Sequence, residues 1–153
     1  MQPMTNSTIL FVCSGNTCRS PMAHGIAQEW LRKNGYEGWL AVSAGTFATE
    51  GAPTSSETIN ALSQRGITFE GTSKPLTREM ILSAHIVLCM SKTHVDMARQ
   101  LSGEGAKIEL FDLDGPISDP AGQDQLVYDA LAEKMEKLIA QRLEAIIKKT
   151  RIC

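Results

Sequence analysis

No apolar run in this chain approaches the roughly 18 residues needed to span a bilayer, so a membrane partner is not expected. The first residues, Met1 to Ser7, lack the charged and apolar regions of a secretory signal and read as a flexible tail. The expected location is the cytoplasm. Positive charge is also short: 15 Lys and Arg face 17 Asp and Glu, for a net charge of −2. No global field favours nucleic acid, and an anion would have to be held by a local arrangement. The four cysteines, Cys13, Cys18, Cys89 and Cys153, show no C-x-x-C spacing, and His24, His85 and His94 stand apart from one another. That excludes a zinc framework, and neither metal nor cofactor is expected. Disulfide staples are not required either. A chain of 153 residues with 42% hydrophobic content can bury one sizeable core, and a monomer is expected.

Internal repeats, low-complexity tracts and linkers are absent too. What remains is an alternation of strand and helix over a single domain, residues 1–153. Thr8–Val12 is a short apolar run with the signal of a buried strand. A helix is expected to open around Pro21, whose missing N–H costs nothing in a first turn, and Gly35 fits its stop. Trp39–Val42 reads as a second strand, and Ser55 or Ser56 caps a helix through Arg65. Thr77 caps a short helix over Arg78–Ser83. Ile86–Met90 reads as a third strand, Thr93–Leu101 as a helix and Lys107–Phe111 as a fourth strand. A last helix runs from about Gln123 to Lys149, with an apolar stripe of Leu126, Ala130, Met135, Leu138, Ile139, Leu143, Ile146 and Ile147. The alternation implies an α/β fold with a parallel sheet covered on both faces. Ligands bind beyond the carboxyl ends of such strands.

The loop after the first strand reads Cys13-Ser14-Gly15-Asn16-Thr17-Cys18-Arg19-Ser20-Pro21. It joins a buried strand to a helix N-terminus, where backbone N–H groups lack partners and the helix dipole favours an anion. Gly15 and Asn16 tolerate the backbone angles that turn successive amides inward. Arg19 adds a planar cation that matches two phosphate oxygens. A thiol at the mouth of such a cup ionises readily, and Ser20 could donate a hydrogen bond to it. Cys13 is then a nucleophile for phosphorus, with Ser14 to Ser20 as the phosphate-binding loop. A leaving oxygen or nitrogen needs a proton, and Asp119 is the candidate donor. Pro120 restricts Asp119 to extended backbone, and an anion nearby favours a protonated carboxyl. Asp112 and Asp114 compete for this role.

These residues resemble the signature of the low-molecular-weight protein-tyrosine phosphatases. The resemblance continues through Ser43-Ala44-Gly45-Thr46, Lys74-Pro75-Leu76-Thr77, Ile86-Val87-Leu88-Cys89-Met90 and Asp119-Pro120. It implies a four-stranded parallel sheet flanked by helices, and phosphorylated proteins as partners. It implies Cys13 as nucleophile, Arg19 as phosphate clamp and Asp119 as general acid and later base. Asn16, Ser20 and Ser43 correspond to residues that hold the loop's shape. Cys18 corresponds to a cysteine that can form a reversible disulfide with Cys13. Gly71 stands where many relatives carry a histidine that supports the loop.

Thr17 bears on the substrate. Tyrosine-directed members usually carry a larger apolar residue there, and members resembling protein-arginine phosphatases carry Thr. Ala121-Gly122 replace the aromatic residues that stack on a tyrosine ring. Phosphoarginine is therefore the favoured substrate and phosphotyrosine the alternative. Arsenate reduction on the same fold is more remote, because it needs a relay of further cysteines. Cys89 reads as a core residue inside an apolar run, Cys153 as a terminal one. The three histidines read as structural or solvated, and Trp30 and Trp39 as core.

Overall fold

A computed structural model describes residues 7–152 of the chain, with side chains described through residue 150. The expected tail and Cys153 lie outside the described residues, apart from Ser7. Ser7 is not tail: it opens the first strand and donates its amide to the Gly38 carbonyl at 2.8 Å.

The elements in chain order are β1 (Ser7–Cys13), α1 (Arg19–Lys33), β2 (Trp39–Gly45), α2 (Ser56–Ser63), α3 (Arg78–Ser83), β3 (Ile86–Cys89), α4 (Lys92–Ser102), β4 (Ile108–Leu110) and α5 (Gln125–Ile152). The four strands are parallel and lie in the order β2-β1-β3-β4. This is the single-domain α/β architecture expected.

β1 explains why both faces of the sheet are covered. Its side chains alternate between faces, and both sets are apolar. Ile9, Phe11 and Cys13 join a core made with α1, α2 and α5. Leu10 and Val12 join a second core made with α3 and α4. Phe11 meets Phe111 edge-on, with ring centroids 5.3 Å apart. Each fully buried Ile, Leu, Phe or Met contributes about 1.5–3 kcal/mol relative to exposure.

Several boundaries move. α1 begins at Arg19, two residues before Pro21, so the clamp residue belongs to the first turn. β2 runs on to Gly45 because Ser43, Ala44 and Gly45 pair in register with Phe11, Val12 and Cys13. α2 stops at Ser63, short of Arg65, with Ser55 as its N-cap. Ile108–Leu110 forms a shorter β4, and α5 opens at Gln125 rather than Gln123. The apolar stripe of α5 holds from Met135 to Ile147 and misses only at its start. Leu126 is 74% exposed and Ala130 faces solvent, while Tyr128 and Ala132 are buried. The row Tyr128, Ala132, Met135, Ile139, Leu143 and Ile146 follows the helical repeat, and Leu126 lies off it.

β1 is the first strand and sits inside the sheet, with β2 on one side and β3 on the other. The chain's path reverses there, so the loops at the carboxyl ends of β1 and its neighbours diverge around a crevice. The Cys13 loop occupies it.

Candidate active site

The loop from Cys13 to Ser20 is folded over its own buried side chains. Cys13 and Asn16 are each 2% exposed, and Ser20 is fully buried. Ser20 Oγ lies 3.0 Å from Cys13 Sγ. Asn16 has φ of 56°, in the left-handed region that asparagine tolerates better than most residues. Its side chain bridges two segments. Nδ2 donates to Ser20 Oγ at 2.6 Å, and Oδ1 accepts from the Lys74 amide at 2.9 Å. The backbone of Lys74 thus supports Asn16 from outside the loop. Gly71 accepts a hydrogen bond at its carbonyl from Thr54 Oγ1 at 3.1 Å.

The end of β2 closes the loop from the other side. Thr46 and Phe47 donate their amides to the carbonyls of Cys13 and Ser14, both at 2.9 Å. A side chain at Gly45 would run into the Ser14 carbonyl, so this close approach requires glycine. Ser43 does not reach the loop: its Oγ pairs with His24 Nδ1 at 3.1 Å and ties α1 to β2. His24 also rests edge-on against Phe69. Burial, followed by the charge of Lys74, lowers the His24 pKa to about 4.

Cys18 occupies the N-cap of α1 and makes no side-chain capping bond, so the first amides of the helix take no side-chain partner. Its thiol points instead into a polar niche, 3.4 Å from Tyr128 Oη and 3.6 Å from Ser55 Oγ. Burial, then the hydrogen bond to Cys18, pushes the Tyr128 hydroxyl pKa up. Thr17 is half-buried at the rim, and its carbonyl accepts from the Ser55 amide at 2.9 Å.

Arg19 is buried, and Nη1 donates to the Ile117 carbonyl at 3.0 Å. Nη2 lies 3.8 Å from Asp119 Oδ2, so the structure brings Asp119 to the clamp. Asp112 goes elsewhere, to Lys134 Nζ at 3.3 Å, and its Oδ1 accepts the Asp114 amide. The segment carrying Asp119 is anchored at Ile117, whose amide donates to the Met90 carbonyl at 2.8 Å. Beyond that anchor Asp119 stands exposed, its Oδ1 accepting the Ala121 amide at 3.0 Å.

Two site neighbours escape a reading of the sequence. His94, which stands alone in the sequence, has its Nε2 2.8 Å from Ser14 Oγ and its Nδ1 2.9 Å from Ser91 Oγ, so it is a neighbour of the loop and not merely structural or solvated. Phe47 is 75% exposed beside the rim and carries the aromatic surface that Ala121-Gly122 lack. Spacing could reveal neither, because both arrive from other strand ends. Cys89 lies in the core shared with α3 and α4, and burial pushes its thiol up to about 12. That leaves it unfit for a cysteine relay. Cys13, Cys18 and Cys89 are all free thiols.

The arrangement can seat a tetrahedral anion against Cys13, in a loop whose Arg19 faces the carboxyl of Asp119. Comparison with known proteins agrees with that chemistry. Residues 8–152 match the family model described as low molecular weight phosphotyrosine protein phosphatase. A protein-arginine-phosphatase of Geobacillus stearothermophilus is 39% identical over 90% of this chain and 95% of its own. The low molecular weight protein-tyrosine-phosphatase PtpB of Staphylococcus aureus is 31% identical over 90% of this chain and 98% of its own. The solved arginine phosphatase YwlE, as a cysteine-to-serine variant with a phosphorylated active-site serine, superposes with a TM-score of 0.89. It is 29% identical, over 95% of this chain and 99% of that one. The chain belongs to the low molecular weight phosphotyrosine protein phosphatase family and is a protein phosphatase.

Proposed function

We propose that the chain dephosphorylates protein arginine residues through a phosphocysteine on Cys13. The ionised sulfur attacks phosphorus, and the bond from phosphorus to the guanidino nitrogen breaks. Its electron pair goes to the nitrogen, which takes the proton of Asp119. Asp119, now a carboxylate, removes a proton from water. The resulting oxygen nucleophile displaces the sulfur and releases inorganic phosphate. Arg19 and the amides of residues 14–20 hold the three equatorial oxygens throughout. The expected setting is the cytoplasm, where thiols such as the free Cys13 and Cys18 stay reduced.

One observation carries this reading. Cys13 Sγ lies against Ser20 Oγ at the base of the loop, and Arg19 links the same loop to Asp119 across 3.8 Å. Cys13, Arg19 and Asp119 thus converge on one crevice, which supports their reading as nucleophile, clamp and acid. The phosphorylated serine of the YwlE variant is what attack from this position would leave behind. For the substrate, Thr17 gives the rim a hydroxyl where an aromatic ring would prefer an apolar wall. The named activity of the Geobacillus relative points the same way. Phosphotyrosine remains the second reading, favoured by the exposed ring of Phe47.

Rates on phosphoarginine and phosphotyrosine peptides test the assignment, for wild type and Thr17→Ile. Wild type is expected to prefer phosphoarginine, and the substitution to move the ratio towards phosphotyrosine. A wild-type preference for phosphotyrosine would establish the second reading.

A further inference from the structure

The residue after the nucleophile is a serine whose hydroxyl is held from behind. Ser14 Oγ lies 2.8 Å from His94 Nε2, and His94 Nδ1 lies 2.9 Å from Ser91 Oγ. Ser91 is the N-cap of α4, a place where serine normally bonds the helix amides, yet it makes no such bond. Its hydroxyl serves His94 instead. The histidine is 4% exposed, so Ser14 at the half-buried rim is held through a buried ring whose other nitrogen is fixed by the half-buried Ser91.

This chain lies beside the reacting groups. His94 feels the charges of both Arg19 and Asp119. Burial, followed by Arg19, lowers its pKa to about 4, with Asp119 opposing, so the ring is neutral at pH 7. A neutral imidazole has one donor and one acceptor nitrogen. If Nε2 accepts, Ser14 gives its proton away and keeps two lone pairs. If Nε2 donates, Ser14 accepts once and keeps one lone pair. Under either tautomer Ser14 Oγ can accept a further hydrogen bond.

We propose that Ser14 accepts an N–H of the substrate guanidino group beside the phosphorylated nitrogen, and that His94 positions the Ser14 hydroxyl for this contact. A guanidino group presents several N–H donors in one plane, whereas the edge of a tyrosine ring presents none. Ser14 is then a specificity-determining residue and His94 a positioning residue. A site built around such a hydrogen bond discriminates strongly against a group that lacks the donor. The inference rests on the phosphoarginine reading and names the contact that makes it selective.

The test measures kcat/KM for wild type, Ser14→Ala, Ser14→Thr, His94→Leu and the double variant Ser14→Ala/His94→Leu. Substrates are a phosphoarginine peptide, a phosphotyrosine peptide and para-nitrophenyl phosphate. For Ser14→Ala the loss on phosphoarginine should exceed the loss on the two aryl phosphates by about tenfold or more, the worth of a hydrogen bond to a charged group. Ser14→Thr keeps the hydroxyl and should restore the ratio. His94→Leu should lower the same ratio, and the double variant should lower it no further than Ser14→Ala alone. Activity on para-nitrophenyl phosphate reports that each variant is folded. Equal losses on all substrates would show that the pair only shapes the loop and would overturn the inference, as would an unchanged ratio. Wild type inactive on phosphoarginine would reject the phosphoarginine reading and this inference together. Wild type active on it, with an unselective Ser14→Ala, would reject this inference alone.

Discussion

Two segments meet over the carboxyl edge of the sheet, and they are held in opposite ways. The cup, residues 13–20, has a buried base, with Cys13 and Asn16 each 2% exposed, and a half-buried rim of Ser14, Gly15 and Thr17. It is tied to β2 through Thr46 and Phe47 and to the Lys74 backbone through Asn16. The segment that carries the acid touches the core at Ile117 and then runs outward, leaving the Asp119 side chain 54% exposed. The difference suits the chemistry proposed for each. Amides that hold an anion act through fixed dipoles, and reorganising them would lose most of their effect. A carboxyl that first gives and then takes a proton has to face a leaving group and later a water. Arg19 couples the two segments, since it binds Ile117 from within the cup and faces Asp119.

The largest expected effect separates them by chemistry. Cys13→Ser should lower turnover by at least about 10³-fold on every substrate, because a serine hydroxyl is a far weaker nucleophile than the sulfur and a far poorer leaving group in the second step. Para-nitrophenyl phosphate turnover that survived this change would break the comparison at its root. Asp119→Asn comes next, with a fall in kcat of about 10²- to 10⁴-fold on phosphopeptides. The fall should be smaller on para-nitrophenyl phosphate, whose phenolate leaves without a proton. A loss equal on both would mean that Asp119 shapes the cup instead of donating.

The same contrast governed how much could be read in advance. The cup was legible because its parts are local. A strand, a turn of Gly15 and Asn16, a cation and a helix start stand within nine residues, and short-range geometry dictates what they build. Asp119 was legible through its proline, but its partner Arg19 lies 100 residues away, so spacing alone left Asp112 and Asp114 in contention. His94, Phe47 and Tyr128 were missed for a physical reason. Each reaches the site by tertiary packing: from the first turn of α4, from the end of β2, and from the opening turns of α5, where the buried face runs through Tyr128 and Ala132 and not through Leu126 and Ala130. β2 was read as stopping at Val42, because Ser43, Ala44 and Gly45 carry little strand signal and are held by pairing with β1.

Acid should expose the support of the cup before its chemistry. His24 and His94 are buried and neutral with pKa values of about 4, against about 6.5 in the unfolded chain. Between those values the unfolded state binds more protons, so stability falls as pH falls from 6.5 towards 4. The loss should be on the order of 1–3 kcal/mol per histidine, read as a drop in the urea midpoint between pH 7 and pH 4.5. His94→Gln should remove its share of that slope. A slope unchanged by the substitution would show that the ring titrates freely in the folded protein.

The smallest effects sharpen the comparison most, because they set one residue of each segment against the other in stability alone. Asn16→Ala removes the donor to Ser20 and the acceptor for the Lys74 amide, and places alanine at a φ of 56°. The first bond is buried and the second partly buried, so the cost should be about 1–3 kcal/mol, or several degrees in Tm for a domain of this size. Asn16→Asp keeps the acceptor and loses the donor, and should fall between. Asp119→Ala removes an exposed carboxyl whose salt contact with Arg19 spans 3.8 Å, and should change stability by no more than about 0.5 kcal/mol. Thermal melts of the three variants at pH 7 decide it. Equal shifts would mean that the acid segment is as rigidly built as the cup. A large shift for Asn16→Ala beside none for Asp119→Ala places the rigidity where the anion must sit and the freedom where the proton must move.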